Sequence, residues 1–473
     1  MRRREAIQRI VIIGGGISGL SSAFYLRREA KRRGMELQVT IVDEAQKLGG
    51  KIHTLERDGF VIEKGPDSFL SRKLPIIDLA KELGLEGELT ATNPSAKKTY
   101  ILHRRKLHPM PTGMMLGIPT EIGPFVKSGL ISWSGKLRAL MDLFLPVRKS
   151  ADDETLGGFL ERRVGKEVMR RIAEPLLAGI YAGDLKKLSL RATFPQFLES
   201  ERKHGSLIKG MLHNRKAAAA AASKSGGSTF LTFRSGLSTM VRALDDALPD
   251  VERRLGVKAA GIHRMESGGY EVELADGERL AADRIIVTAP AYAAAELLEP
   301  LSDCEELRTI RYVSVANVVL AYDKEQFGLS FDGTGFVVPR SEGLHITACT
   351  WTSTKWLHTS PSDKVLLRCY VGHSEDQESV KLPDKELIAA VRADIRSVLG
   401  VTAEPLFTEI TRLNRSMPQY PLGHVERMRE LRGRLKEQLP GVWVTGAAFD
   451  GVGLPDCIRQ GKEAAAIVLD EQN

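Results

Sequence analysis

The stretch from Arg9 to Leu20, RIVIIGGGISGL, limits the possible folds more than any other part of the 473-residue chain. Ile10 to Ile13 form a continuous apolar run, the pattern of a strand buried on both faces of a parallel sheet. Gly14, Gly16 and Gly19 follow in GxGxxG spacing. A helical pattern, ISGLSSAFYLRREAKRR, then begins, apolar at Leu20, Ala23, Phe24 and Leu26. A second strand pattern, LQVTIVDEA, carries Asp43 at its end. Each part has a physical reason in a dinucleotide site. Gly14 permits the tight turn, and Gly16 lets backbone N–H groups approach a pyrophosphate. Gly19 lets the helix pack close to the strand, with its positive end facing the phosphates. Asp43 is placed to accept hydrogen bonds from ribose hydroxyls.

Just beyond lies QKLGGK, with Gly49 and Gly50 where the chain would pass close to a cofactor. A glycine pair there is typical of flavin proteins of the amine-oxidase type and favours FAD over NAD. Two later segments can complete such a domain. The first runs from Thr229 through short strand patterns, with a turn at Asp276-Gly277, to a buried-type strand, Ile285 to Thr288. Within it, Val257 suits either a backbone contact to adenine or a plain structural strand position. The second is GVWVTGAAFDGVGLPDCIRQGK, with a strand at Val442 to Val444 and glycines at 446, 451 and 453. Pro455 and Asp456 are favourable first-turn residues of the final helix, whose positive end would face the flavin ring.

Composition narrows the partners. A net charge of +8 invites an acidic substrate, membrane surface or nucleic acid. The cations are scattered, however, with no aromatic-interleaved basic run, so no nucleic-acid partner is expected. Cys304, Cys349, Cys369 and Cys457 are far apart and lack CxxC spacing, which fits a reducing cytoplasm. The ten histidines are equally dispersed, and no metal site is expected. No signal peptide or spanning segment is evident. The uncharged LHPMPTGMMLGIPT at 107–120 is too short and too rich in Pro and Gly to cross a bilayer. Membrane contact is therefore expected to be peripheral at most.

The middle of the chain, about 80 to 185, reads as helical. A helix capped by Ser134 would carry an apolar stripe, Leu137, Leu140, Met141, Phe144 and Leu145, that reads as core. Breaks are expected at Gly165, Pro175 and Gly179, and the small and apolar run Pro175 to Asp184 suits the wall of a flat pocket. The alanine-rich RKAAAAAASKSGGS from Arg215 reads as a surface excursion or short helical extension. Strand patterns between about 296 and 436 suggest an antiparallel sheet in a separate substrate domain.

A series of motifs then runs in order through the chain: GPDSFLSRK, LHPMPTG, LGIPT, RRVGKEV, EPLLAGIYAGD, LSLRATFPQF, SVANVVL, ITACTWT, SMPQYPLGH and GVGLPDCIRQGK. In these the chain closely resembles the soluble bacterial protoporphyrinogen oxidase family, whose Gram-positive members are better described as coproporphyrinogen III oxidases. The resemblance implies an α/β and α+β fold. It comprises a discontinuous Rossmann-like FAD domain (1–72, 229–295 and 437–473), a mixed-sheet substrate domain (73–90, 185–228 and 296–436) and a helical, membrane-binding-like domain (91–184). It implies a six-electron oxidation of coproporphyrinogen III, with protoporphyrinogen IX as a further substrate. Hydride passes to one non-covalent FAD, and dioxygen is reduced to hydrogen peroxide. It also implies cytoplasmic haem biosynthesis and transient contact with the next enzyme of that pathway. The other readings are a related amine oxidase or desaturase, or a non-catalytic flavin- or porphyrin-binding protein.

Carried over by position, the cofactor contacts implied are Gly14, Gly15, Gly16, Ile17, Ser18, Gly19, Asp43, Glu44, Lys47, Gly50, Gly65, Pro66, Asp67, Ser68, Val257, Leu413, Val452, Gly453 and Leu454. Leu413 is a departure, because the family usually has Trp there; Leu keeps apolar cover but lacks the indole N–H. Substrate contacts are implied at Lys73, Ile180 and Tyr370, with no catalytic side chain beyond the flavin. Lys73 would hold a propionate at the pocket mouth, while its neighbour Arg72 reads as surface charge or the partner of a carboxylate.

Overall fold

The computed structural model describes residues 7–222 and 228–470. The apolar run of the first motif is β1 (Gln8–Ile13), followed by α1 (Ile17–Arg33) and β2 (Leu37–Asp43). In the parallel sheet they nucleate, the strand Glu252–Leu255 flanks β2, while Arg284–Val287 and then Val442–Val444 lie on the other side of β1. Three separated stretches of chain thus build one sheet. The run is apolar throughout because both faces are covered. Ile10 and Ile12 pack with α1 and the C-terminal helix Leu454–Asp470, whereas Val11 and Ile13 pack with the helices Ala291–Leu298 and His424–Gln438. At Gly461 of the C-terminal helix a methyl would stand 2.7 Å from the Ser18 carbonyl oxygen, so glycine is what lets the two helices touch.

A second, seven-stranded sheet runs in the order Phe407–Pro418, Tyr312–Asp323, Lys364–Val371, Ile346–Trp351, Gly333–Val337, Lys98–His103, Lys106–Pro109. It is antiparallel except where Gly333–Val337 meets Lys98–His103. Val318, Cys369, Cys349 and Phe336 lie on the face packed against the helix Asp384–Leu399. The alternate residues Asn317, Tyr370 and Ala348 lie in register on the opposite face, toward the first domain.

The helical reading of 80–185 is corrected in its first part. Lys98–His103 and Lys106–Pro109 form a hairpin on the edge of the second sheet. Arg104 and Arg105 make its turn with φ of 51° and 61°, the geometry a two-residue hairpin needs. Their N–H groups donate to the Glu342 carboxylate at 2.9 and 3.2 Å. After the helix Leu74–Glu82 and the short 3-10 turn Glu86–Glu88, helices resume at Ile122–Lys127.

The stripe expected as core is also corrected. The helix Trp133–Leu140 is capped by Ser132, not Ser134. It turns Gly135, Lys136 and Ala139 inward and leaves Trp133 73% and Leu137 68% exposed; Phe144, just past the 3-10 turn Met141–Leu143 that follows it, is 87% exposed. The polar network beside it explains the choice. Arg163, fully buried, donates to Asp142 Oδ1 at 2.5 Å and lies 3.3 Å from Glu201, so the side bearing Asp142 must face in. Gly165 does kink the helix Leu156–Val168, with φ 84°. Pro175 and Gly179, by contrast, both lie inside the helix Glu174–Tyr181. The alanine-rich stretch is helical through Ala222; residues 223–227 lie outside the described residues.

Candidate functional site

Three glycine-bearing turns meet at the C-terminal edge of the parallel sheet. Gly14 adopts φ 114°, and a methyl at Gly19 would lie 1.9 Å from the Gly14 carbonyl oxygen. Gly16 pairs with Gly49 in a parallel bridge, and a methyl on Gly50 would stand 3.2 Å from Gly16 Cα. A methyl on Gly65 would collide with the Lys51 carbonyl at 1.7 Å. The stretches Gly14–Gly19, Gly49–Gly50 and Gly65–Ser68 are therefore neighbours because side chains are missing between them.

This cradle fits a dinucleotide. Gly16 caps α1 without a side-chain hydrogen bond, and no acidic residue stands in the first turn, which holds Ile17, Ser18 and Gly19. The first N–H groups of a 17-residue helix therefore carry no side-chain cap, an arrangement that suits a phosphate. Asp43 Oδ2 accepts from Gly15 N at 2.5 Å and Oδ1 from Ala45 N at 2.8 Å, fixing the acid at the end of β2. Val257 N donates to the Asp43 carbonyl at 3.2 Å, which sets Val257 beside the end of β2. Glu44 and Lys47 are exposed on the same loop.

The turn Gly65–Ser68 is clamped to the second sheet by groups that the sequence reading did not single out. Arg368 donates to the Gly65 carbonyl, and Asn317 Nδ2 donates to the Lys64 carbonyl at 2.7 Å. Asp67 lies 3.3 Å from Lys355 Nζ and 4.0 Å from Arg368, and it accepts from Ser68 Oγ at 2.9 Å. Burial opposes the charge on Asp67, yet Lys355 and Arg368 outweigh it and hold the carboxyl at about 2. Arg368 also lies over the Tyr370 ring, 5.0 Å from its centroid. Burial pushes the Tyr370 phenol up to about 12, against the opposing charge of Arg368. Arg368 Nε is buried without a hydrogen-bond partner among the described residues. A visible signal for Arg368 was its isolation as the one charge inside the apolar strand VLLRCYV.

Leu413 pairs with Val315 and shares a strand face with Glu409 and Thr411. Glu409 pairs with Lys64 at 2.6 Å, so that face looks onto the strand leading to the Gly65 turn. Beyond Leu413 on the same strand, the Ser416 carbonyl accepts from Lys51 of the second glycine loop.

The remaining candidates gather at the start of the C-terminal helix. Val452 and Gly453 precede it, and Leu454 begins it. Val452 packs against the helical core that contains Leu177, Tyr181 and Tyr420. Tyr420 OH donates to the Ala447 carbonyl at 2.6 Å and accepts from Gly451 N at 3.1 Å. Its ring meets Tyr181 edge-on at 5.6 Å. Ile180 precedes Tyr181 and is 41% exposed. Desolvation, with the Asp456 charge adding, pushes the Tyr181 phenol upward. Lys73 reaches the same place, but not as the free cation expected: its Nζ contacts both Asp456 oxygens, at 2.6 and 2.5 Å. Arg72 beside it is exposed. Lys73 is thus tied to the start of the C-terminal helix through Asp456, Val452 packs in the core that holds Tyr181, the neighbour of Ile180, and Tyr370 lies on the other sheet under Arg368.

Among the described residues no group of acidic, histidine or cysteine side chains could hold a metal, and no helix is long and apolar enough to cross a membrane. Residues 17–469 match the model of the family described as flavin containing amine oxidoreductase. The chain is 47% identical to the coproporphyrinogen III oxidase of Bacillus subtilis over 97% of both chains. It is 40% identical to that of Staphylococcus aureus, over 98% of this chain and 99% of the relative. Its fold superposes with a TM-score of 0.88, at 36% identity, on a crystal structure of an Exiguobacterium protein described as a protoporphyrinogen oxidase. That match covers 98% of this chain and 99% of the other.

Proposed function

We infer the reaction from a premise the whole chain supports: it belongs to the flavin-containing amine oxidoreductase family. It is an FAD-dependent oxidase of haem biosynthesis that converts coproporphyrinogen III to coproporphyrin III, with protoporphyrinogen IX as a further substrate. The carrying observation is full-length similarity to coproporphyrinogen III oxidases, at 47% and 40% identity. FAD, when bound, supplies the acceptor for hydride, and dioxygen is the final oxidant.

The chain's own residues bind, orient and exclude water. The α1 N-terminus and Gly14–Gly19 take the pyrophosphate, and Asp43 takes the ribose. Glu44, Lys47 and Gly50 line the approach to the ribityl chain, and Val257 meets the adenine end. Gly65, Pro66, Asp67 and Ser68 form the turn beside the ring, held rigid by Lys355 and Arg368. Leu413 would give apolar cover, and Val452, Gly453 and Leu454 would hold the flavin where the C-terminal helix presents its positive end. Lys73 takes a propionate, and Ile180 and Tyr370 line the apolar macrocycle.

The protein acts in the cytoplasm. Trp133, Leu137, Met141 and Phe144, exposed along one helical face, support peripheral contact with the membrane surface. The discriminating experiment is anaerobic mixing of the purified flavoprotein with coproporphyrinogen III, which is expected to bleach the bound flavin. Initial rates with coproporphyrinogen III and protoporphyrinogen IX then rank the substrates. Flavin that stays oxidised with both would overturn the assignment.

A further inference from the structure

Lys73 occupies the N-cap position of the helix Leu74–Glu82, yet its side chain makes no cap. It reaches instead across 383 positions of sequence to Asp456, with both carboxylate oxygens on one ammonium. The pair is not sealed: the Lys73 side chain is 40% exposed and that of Asp456 19%. The loop before Asp456 is cleared of side chains. A methyl on Gly451 would stand 2.8 Å from Asp456 Cβ, and one on Gly453 2.9 Å from Asp456 Oδ2. The carboxylate therefore has a built place, next to the glycine-bearing loop 451–453 and near enough to Tyr181 for its charge to act on that phenol.

A ligand carboxylate and Asp456 compete for the same ammonium. We propose that Asp456 is an internal stand-in for a substrate carboxylate, holding Lys73 in position in the open site and yielding it when a propionate arrives. The inference rests on the porphyrinogen reading above. Exchange is easy in both directions for two reasons. A partly exposed ion pair is weak, so the ammonium can change partners at little cost. Asp456 also stands in the first turn of a helix, where the backbone dipole keeps supporting its charge after Lys73 has moved. The pair thereby discriminates: a ring without a carboxylate at this edge leaves it closed and gains nothing from Lys73. Asp456 is a positioning residue in this scheme.

The test titrates the oxidised holoenzyme with coproporphyrin III, the stable aromatic product, and reads porphyrin fluorescence, so no turnover is needed. Asp456→Asn removes the competitor and is expected to tighten binding about two- to fivefold, the range a partly exposed pair corresponds to. Lys73→Met is expected to weaken it. Asp456→Asn placed in the Lys73→Met background is expected to change nothing, a non-additivity that a purely structural role for Asp456 does not produce. Asp456→Ser, which keeps a first-turn acceptor, repeats the test should the Asn variant lose flavin. Unchanged or weaker binding in both variants, with wild-type flavin content, overturns the proposal alone. Wild-type protein that does not bind coproporphyrin III sinks the porphyrinogen reading and this inference with it.

Discussion

Glu63 ends the strand Phe60–Glu63, next to the turn Gly65–Ser68, and its carboxylate is held from two sides. Leu237 N donates to it at 2.6 Å, and Thr54 Oγ1 at 3.0 Å. Desolvation dominates and pushes the carboxyl up to about 7, although both hydrogen bonds and Arg368 favour the charge. The ordinary value is 4.5. A raised acid keeps its proton longer in the folded state. Its contribution to stability is therefore complete below pH 4.5 and disappears as pH rises through about 7. The gap corresponds to about 3 kcal/mol. Glu63→Gln keeps the shape and the acceptor for Leu237 but cannot ionise. Relative to wild type, the variant should thus gain about 3 kcal/mol between pH 4.5 and pH 8. A chain of this length melting as one unit has an unfolding entropy of about 1 kcal/mol/K, so the gain reads as about 3 °C in Tm. Scanning calorimetry of both proteins at pH 5, 6, 7 and 8 isolates the effect, because all other titrating groups are shared. A Tm difference that stays flat across this range, or moves toward wild type as pH rises, refutes the reasoning.

Four further outcomes are expected. Gly19→Ala, whose methyl meets the Gly14 carbonyl, should yield protein without the visible absorbance of bound flavin. Leu413→Trp restores an indole on the face toward the Gly65 turn and should slow the loss of FAD on dilution, measured by flavin fluorescence. Arg163→Met leaves Asp142 and Glu201 buried without their shared cation and should cost about 3–5 kcal/mol in denaturant unfolding of the helical region. Trp133→Ser with Phe144→Ser removes the exposed stripe; co-sedimentation with anionic vesicles should fall while turnover in solution is kept.

Much of the dinucleotide-type fold was legible from the chain because its logic is local. A strand buried on both faces must be apolar throughout, a tight turn against a phosphate must be glycine, and both signatures lie within β1, α1 and β2. The same holds for the Val442–Val444 strand and the glycines ahead of the last helix. Periodicity reveals that a helix has an apolar face but not what covers it. Leu137, Met141 and Phe144 therefore read as core, until the buried Arg163–Asp142 pair turned the other side of the helix Trp133–Leu140 and of the 3-10 turn after it inward. The hairpin 98–109 was misread for a related reason. Its place on the sheet edge depends on Gly333–Val337, more than 220 residues later, and on Glu342 holding the turn. Lys73 shows the division most plainly. By residue type alone it reads as loop charge, and only the resemblance carried by GPDSFLSRK implies a substrate contact there. Only the tertiary structure brought Asp456 to it from the far end of the chain, because an ion pair is decided by where two helices begin in space, and no local pattern records that distance.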